Sequence, residues 1–187
     1  KPKSLEAHGE NGSSSNEIKH LIYDTVRKQD PDGSAAPGLV ESWEYTDDLT
    51  LILHVREGVK FHNGETLDAN DIIYNLKRAY GSDYANWMVS TVDLDNCTAI
   101  DENTVEVKLT APTGALLAQL CFLYIVDEQT VEGGTSLEET PIGTGPVVFK
   151  QWFRGDRLVW TTNEDYCGTI PSFFSLTLRV TTQFSSL

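Results

Sequence analysis

"LTLILHVREGVKFHNGE", residues 49–65, carries the alternation of residue types that predicts how the middle of this chain folds. The apolar residues on one face of this predicted strand are Leu49, Leu51, Leu53 and Val55. Glu57-Gly58 is a turn signal, and a hairpin centred on Gly58 is expected to place His54 opposite His62. The pattern therefore predicts a strand pair with one apolar face and one basic face.

Two histidines facing each other raise the question of a metal site. Imidazole nitrogens bind transition metals, and Asp48, Glu65 or Asp71 would be available as a third ligand. Arg56 and Lys60 lie on the same face, however, and their charges oppose a dication. The stretch therefore favours a structural hairpin, and no metal is expected.

The composition excludes several classes of partner. The 187 residues carry a net charge of −14, which repels phosphate, so neither nucleic acid nor an anionic membrane is an expected partner. The longest apolar run, residues 115–126, is shorter than the roughly 20 residues of a membrane-spanning helix. No signal peptide is visible, and the abrupt polar start suggests part of a longer protein.

The cysteines do not form a recognisable pattern. Cys97, Cys121 and Cys167 are odd in number and lack a CxxC motif, which argues against a zinc site and a full disulfide framework. Cys121 lies in an apolar run and is expected to be buried. A single disulfide remains open.

Helices alternate with strand patterns along the chain. Ser14 and Glu17 form a capping-box pattern before one predicted helix, and Asp68 and Gly81 bracket another. Further strands are predicted at residues 91–100, 104–110, 123–126, 147–153, 157–162 and 173–180, with a short helix at 113–120. This order predicts a mixed fold, α/β or α+β.

No pattern identifies a catalytic site. The sequence contains neither GxSxG nor SxxK, and nothing specifies a triad around His8 or His20. Acidic residues are too numerous for a catalytic pair to be singled out. The chain is therefore not expected to be an enzyme.

The aromatic cluster "YGSDYANWM", residues 80–88, is the most ligand-like feature. Tyr80, Tyr84 and Trp87 follow directly after a predicted helix end. Aromatic rings in a loop offer large apolar area with polar tips, as in binding pockets. The structural alternative is that Trp87 fills the gap between the helix and the sheet.

Three longer stretches together resemble family 5 extracellular solute-binding proteins, the receptors of ABC importers for oligopeptides, dipeptides and nickel. The first runs from "PGLVESWEYTDD" to "IIYNLKRA" (residues 37–79), the second is "PIGTGPVVFKQWFRGDRLVWTTNEDYCG" (141–168), and the third is "KPKSLEAHGENGSSSNEIKHLIYDTV" (1–26). Two positions depart from the family pattern: Cys167 stands in place of Trp, and Ala7 in place of Pro.

The resemblance implies a fold like that of type II periplasmic binding proteins. Residues 1–40 are expected to form the first segment of lobe I, 41–140 an extra strand-rich subdomain, and 141–187 a truncated return segment of lobe I. The second lobe is expected to lie outside this sequence.

The resemblance also implies which residues face the cleft between the lobes. Ser15 and Asn16 are expected to hydrogen-bond a peptide backbone, and Trp87 to stack on the ligand. The full set of expected ligand-binding residues is Ser14, Ser15, Asn16, Tyr84, Asn86, Trp87 and Tyr124.

The expected function is the substrate-binding component of an ABC importer, with oligopeptides as ligands. A receptor for nickel or another small solute is the alternative within the family, and a secreted hydrolase or stand-alone structural module the alternative outside it. The expected partners are the solute and an ABC permease in the membrane. The protein is expected to be a monomer without cofactors, periplasmic or extracellular, with a lipoprotein anchor in its precursor.

Overall fold

The computed structural model describes residues 4–10, 13–30 and 34–179, without the side chains of residues 13, 14 and 35. The helices are α1 (Ser13–Ile22), α2 (Ala69–Tyr80), α3 (Leu116–Gln119) and α4 (Glu128–Glu132), and Asn86–Met88 forms a 3-10 turn. The strands are β1 (Arg27–Gln29), β2 (Ala35–Pro37), β3 (Val40–Asp47), β4 (Thr50–Val55), β5 (Thr98–Asp101), β6 (Thr104–Lys108), β7 (Val147–Phe153), β8 (Arg157–Thr162) and β9 (Ser175–Arg179). The predicted mixture of helices and strands is confirmed.

A four-stranded antiparallel sheet, in the order β3-β4-β6-β5, carries the larger apolar core. In its centre Leu51 pairs with Val107 and Leu53 with Val105, and all four side chains are buried. Helix α2 packs against β5 and β6 and adds Ile72 to the same core. Alternate residues of a strand face the same side, so the leucine alternation in β4 gives the sheet its buried face.

The predicted hairpin centred on Gly58 does not form. Strand β4 ends at Val55, and its neighbours are β3 and β6 rather than the residues after the turn. Lys60 instead makes an isolated bridge with Thr66. Gly58 does have φ 72°, the left-handed conformation of a turn glycine.

The prediction of which residues form the apolar face is largely confirmed, although the predicted neighbouring strand is wrong. Val59 and Phe61 are 1% and 2% exposed, so they join the core as expected. Leu49 is 40% exposed, because it lies in the turn between β3 and β4 rather than on the strand. Alternation identifies which face of a strand is buried, but it does not identify the neighbouring strand.

Helix α2 begins and ends where the sequence predicts. The Asp68 carboxylate accepts hydrogen bonds from the backbone N–H groups of Asn70 and Asp71, at 2.7 and 3.1 Å. The Asp71 carboxylate accepts in return from the backbone N–H of Asp68 at 3.1 Å, which completes a capping box. Gly81 is the C-cap. Such an N-cap typically stabilises a helix by about 1 kcal/mol.

A second apolar cluster includes residues of α1 and of the three-stranded sheet β7-β8-β9. Ile22 of α1 and Trp160 of β8 are both fully buried in it. Ile142 packs against this cluster and against the larger core, and so joins the two.

Because α1 begins at Ser13, Ser14 is in its first turn rather than at the predicted cap.

Two further predictions are settled by the structure. Residues 123–126 do not form the predicted strand, since Tyr124 makes only an isolated bridge with Thr25. All three cysteines are free, and Cys121 is buried as predicted.

Within the described ranges, no helix combines the length and the apolar composition needed to cross a membrane.

Candidate functional site

A recess of about 340 Å³ lies beside the end of α1. Its walls include His20, Asp24, Lys28, Cys121, Phe122 and Tyr166. These residues come from three separate stretches of the sequence, and two backbone hydrogen bonds hold the first stretch against residues 123 and 145. Val26 N–H donates to the Leu123 carbonyl at 3.1 Å, and Gly145 N–H donates to the Ile22 carbonyl at 2.8 Å.

A buried carboxylate organises the polar side of the recess. Asp24 is 6% exposed, and its Oδ1 accepts from Lys28 Nζ at 3.3 Å and from the Tyr166 hydroxyl at 3.2 Å. Its Oδ2 accepts from the Thr144 hydroxyl at 3.1 Å. Lys28 Nζ also donates to the Tyr166 oxygen at 3.3 Å. A buried carboxylate requires such partners, because an unpaired buried charge costs several kcal/mol.

The charge state of this network follows from its contacts. Partial burial disfavours the ammonium of Lys28, but the Asp24 carboxylate and the Tyr166 hydroxyl outweigh it and raise the pKa of Lys28. Burial and the Asp24 charge raise the pKa of Tyr166. At neutral pH Lys28 is therefore a cation and Tyr166 a neutral phenol.

The other titratable groups of the recess are uncharged at neutral pH. The His20 ring lies edge-on to Tyr124 with centroids 5.2 Å apart, and burial lowers the pKa of His20 although Asp24 opposes this. Burial raises the pKa of the Cys121 thiol. Since the thiolate is the nucleophilic form, Cys121 is not an activated nucleophile.

The predicted aromatic loop is exposed and adjoins the recess. Tyr84 and Trp87 are 51% and 45% exposed, and Asn86 is exposed beside them. The Trp87 ring lies 5.7 Å from the ring of Phe122, which also lines the recess. Trp87 therefore does not fill the gap between helix and sheet, which was the structural alternative.

Tyr124 is a core residue rather than a surface one. It is 6% exposed, and its ring packs against those of His20 and Tyr23. Burial raises the pKa of Tyr124 far above that of a free phenol. The residue lies behind His20 of the recess and does not itself line the wall.

The expected serine and asparagine ligands lie at the start of α1. Ser15 is 2% exposed. Asn16 is half-buried, and its Oδ1 is enclosed with no hydrogen-bond partner among the residues that the structure describes. Ser14 is in the first turn of α1, and its side chain lies outside the described part of the chain. Neither Ser15 nor Asn16 is among the wall residues of the recess.

The two histidines of the opening stretch do not face each other. His54 lies in β4, paired with Ser42 on one side and Thr104 on the other. The His62 ring instead contacts the loop at residues 143–145. Across the described ranges, no three side chains of the His, Cys, Asp or Glu type come together as a metal site would require.

Sequence reasoning missed Asp24, Lys28 and Tyr166. Asp24 and Lys28 are four residues apart but lie beyond the end of α1, so helical spacing does not pair them. Tyr166 meets Asp24 across 142 residues of sequence. No local signal in a single sequence reports such a contact.

Comparison with known proteins places the chain in a family. The sequence profile of "Bacterial extracellular solute-binding proteins, family 5 Middle" matches residues 34–186. The dipeptide-binding protein of Escherichia coli (strain K12) is 28% identical over 172 residues, covering 78% of this chain and 32% of that protein. The nickel-binding periplasmic protein of the same strain is 26% identical over 167 residues, covering 86% of this chain and 32% of that protein.

A solved protein structure shows the same fold. The PBP AgaA from A. tumefaciens R10, in complex with agropinic acid, superposes with a TM-score of 0.85 at 25% identity, covering 96% of this chain and 38% of that one. This likeness confirms the predicted fold class. The chain spans about a third of the length of the curated relatives that it matches. The family consists of solute-binding proteins, which confirms the expectation that the chain is not an enzyme. The chain belongs to the bacterial extracellular solute-binding proteins of family 5.

Proposed function

We propose that this chain is part of the substrate-binding component of an ABC importer and that it helps to bind an oligopeptide. The observation that carries the proposal is the exposed pair of Trp87 and Phe122 beside a polar recess. Aromatic rings left exposed in a folded chain offer apolar area to a ligand, and adjacent polar groups orient it. The relative named as a dipeptide-binding protein supports the same ligand class.

The proposed ligand-binding residues have different roles. Trp87 stacks on an apolar ligand group, with Tyr84 and Asn86 beside it. The enclosed Oδ1 of Asn16 is an acceptor for a peptide N–H once the start of α1 adjusts to the ligand. Tyr124 acts indirectly, by holding the ring of His20 at the wall of the recess. Ser14 and Ser15 complete the proposed set.

The arrangement proposed for the whole protein follows the family. Residues 1–40 and 141–187 belong to lobe I, and residues 41–140 form the extra subdomain. The receptor works in the periplasm or outside the cell, carries a lipoprotein anchor in its precursor, and delivers its solute as a monomer to a membrane permease. The extracellular character of the family supports this location.

Native mass spectrometry of the full-length protein tests the proposal. The receptor is purified without denaturation, dialysed, and offered a mixture of di- to hexapeptides. The expected result is one peptide bound per protein. A bound nickel or haem complex would instead identify a receptor for another solute, and breakdown of peptide or ester substrates would point to a hydrolase.

A further inference from the structure

The Asp24 carboxylate has little capacity left for a ligand. It accepts hydrogen bonds from Lys28, Tyr166 and Thr144, and it is only 6% exposed. A cationic group on a solute would have to displace one of these partners and share a desolvated site. The acidic side of the recess is therefore internal structure rather than a docking point for an amine.

Lys28 is in the opposite situation. An ammonium group has three N–H donors, and two of them point to Asp24 and Tyr166. The third has no partner among the described residues, and 47% of the side chain is exposed. The two existing contacts hold the ammonium in place, so binding an anion there costs little additional side-chain entropy.

The other polar groups of the recess also leave Lys28, rather than Asp24, as the charged group available to a ligand. The Tyr166 hydroxyl donates to Asp24 and accepts from Lys28. The hydroxyl of Thr25 donates to the Arg27 carbonyl at 2.6 Å. A net charge of −14 repels anions from the surface as a whole, so an exposed cation in a recess is a local and specific feature.

The apolar side of the recess determines what accompanies the anion. Phe122 is 46% exposed and lines the recess, and its ring lies 5.7 Å from the ring of Trp87. We propose that Lys28 binds a carboxylate of the transported solute, with an aromatic or other apolar group of that solute against Phe122. This assignment rests on the proposed function for the identity of the natural cargo, a peptide with a free carboxylate.

The test separates the carboxylate from everything else in the ligand. N-acetyl-L-phenylalanine and its uncharged amide are titrated into the ²H,¹⁵N-labelled full-length protein, and affinity is read from the backbone NMR shifts of Lys28, Phe122 and Tyr166. We expect the acid to bind about tenfold more tightly than the amide, because a charge-assisted hydrogen bond to a half-exposed ammonium group contributes about that much to affinity. Lys28→Gln should remove this difference and Lys28→Arg should keep it. Lys60→Gln, the same charge change at another exposed lysine, should leave it unchanged.

Several outcomes would overturn the assignment. Equal affinity for the acid and the amide, or a preference that survives in Lys28→Gln, would exclude Lys28 as the anchor. Tighter binding of phenethylamine would make Asp24 the anchor instead. Absence of saturable shifts in the folded full-length wild type with any of these probes would exclude a site in the recess. If Lys28→Gln does not fold, the comparison of acid and amide on the wild type and on Lys28→Arg decides.

Peptide binding and the carboxylate site at Lys28 can be distinguished experimentally. A clear preference for the acid in a full-length protein that binds no peptide would refute peptide binding but keep the carboxylate site. Tight peptide binding that is indifferent to amidation of the C-terminus would keep the proposed function and refute the role of Lys28.

Discussion

His62 and Gly145, 83 residues apart, are joined by a hydrogen bond of 2.9 Å from the imidazole Nε2 to the carbonyl oxygen. The other ring nitrogen, Nδ1, accepts from the backbone N–H of Gly143 at 3.3 Å. Burial lowers the pKa of His62, so the ring is the neutral tautomer that this pairing requires. The histidine therefore ties the stretch after β4 to the loop before β7.

Replacement of His62 by alanine is expected to lower the free energy of unfolding by about 1–3 kcal/mol, because the buried Gly143 N–H loses the ring as its acceptor and the Gly145 carbonyl keeps only the bond from Asn163 Nδ2. Urea denaturation measures the loss. His54→Ala is the matched control, since His54 lies on β4 and its ring makes no hydrogen bond to this loop; its change should stay within about 0.5 kcal/mol. Equal losses in the two variants would contradict the role given to His62.

The glycines of the same loop allow a second prediction. A Cβ at Gly145 would lie 2.6 Å from the Ile22 carbonyl carbon, which is backbone and cannot rotate away. Gly145→Ala is therefore expected to cost about 1–3 kcal/mol or more through overpacking. Gly114 has open space around its Cβ position, so Gly114→Ala should be neutral or slightly stabilising. Thermal unfolding of both variants decides, and a neutral Gly145→Ala would show that the loop can move away from α1.

His8 makes the stability of the chain depend on pH. Its Nε2 donates to the Tyr124 carbonyl at 2.8 Å, and Arg78 Nη1 donates to its Nδ1 at 2.8 Å. Burial, together with the Arg78 charge, lowers the pKa of His8 to about 3. The unfolded chain binds this proton below its ordinary pKa of 6.5 and the folded chain does not, so stability falls as the pH is lowered. Between pH 7 and pH 5 the expected loss is about 2 kcal/mol.

The difference between the wild type and His8→Gln isolates this effect. Asp71, whose pKa burial raises to about 6, acts in the opposite direction, because its folded form takes up a proton in the same range. The pH slope of the wild type alone therefore mixes the two groups. Urea unfolding of both proteins at pH 5, 6 and 7 should give a difference that shrinks as the pH falls. A difference that is constant with pH would mean that His8 titrates normally.

Trp87 provides the prediction closest to function. Because its ring is 45% exposed, Trp87→Ala should change the unfolding free energy little, while peptide affinity of the full-length protein should fall about tenfold. Isothermal titration calorimetry measures the affinity. Phe174→Ala removes another exposed aromatic ring, 83% exposed near the start of β9, and should leave affinity unchanged. Unchanged affinity in Trp87→Ala would remove the aromatic pair from the proposed site.

The sequence by itself determined the features that depend on neighbouring residues. The capping box of Asp68 and Asp71, the stop at Gly81 and the buried alternation of β4 all follow from contacts within a few residues, so local patterns predict them. The long motifs around residues 37–79 and 141–168 were sufficient for the family.

Only the tertiary structure decided which segments meet. It paired β4 with β3 and β6 rather than with the residues after Gly58, and it gave His62 a partner at Gly145. It also assembled Asp24, Lys28 and Tyr166 into one recess. The physical reason is the same in each case: apolar periodicity specifies a buried face, whereas the partner across that face is selected by packing and hydrogen bonding between residues distant in sequence.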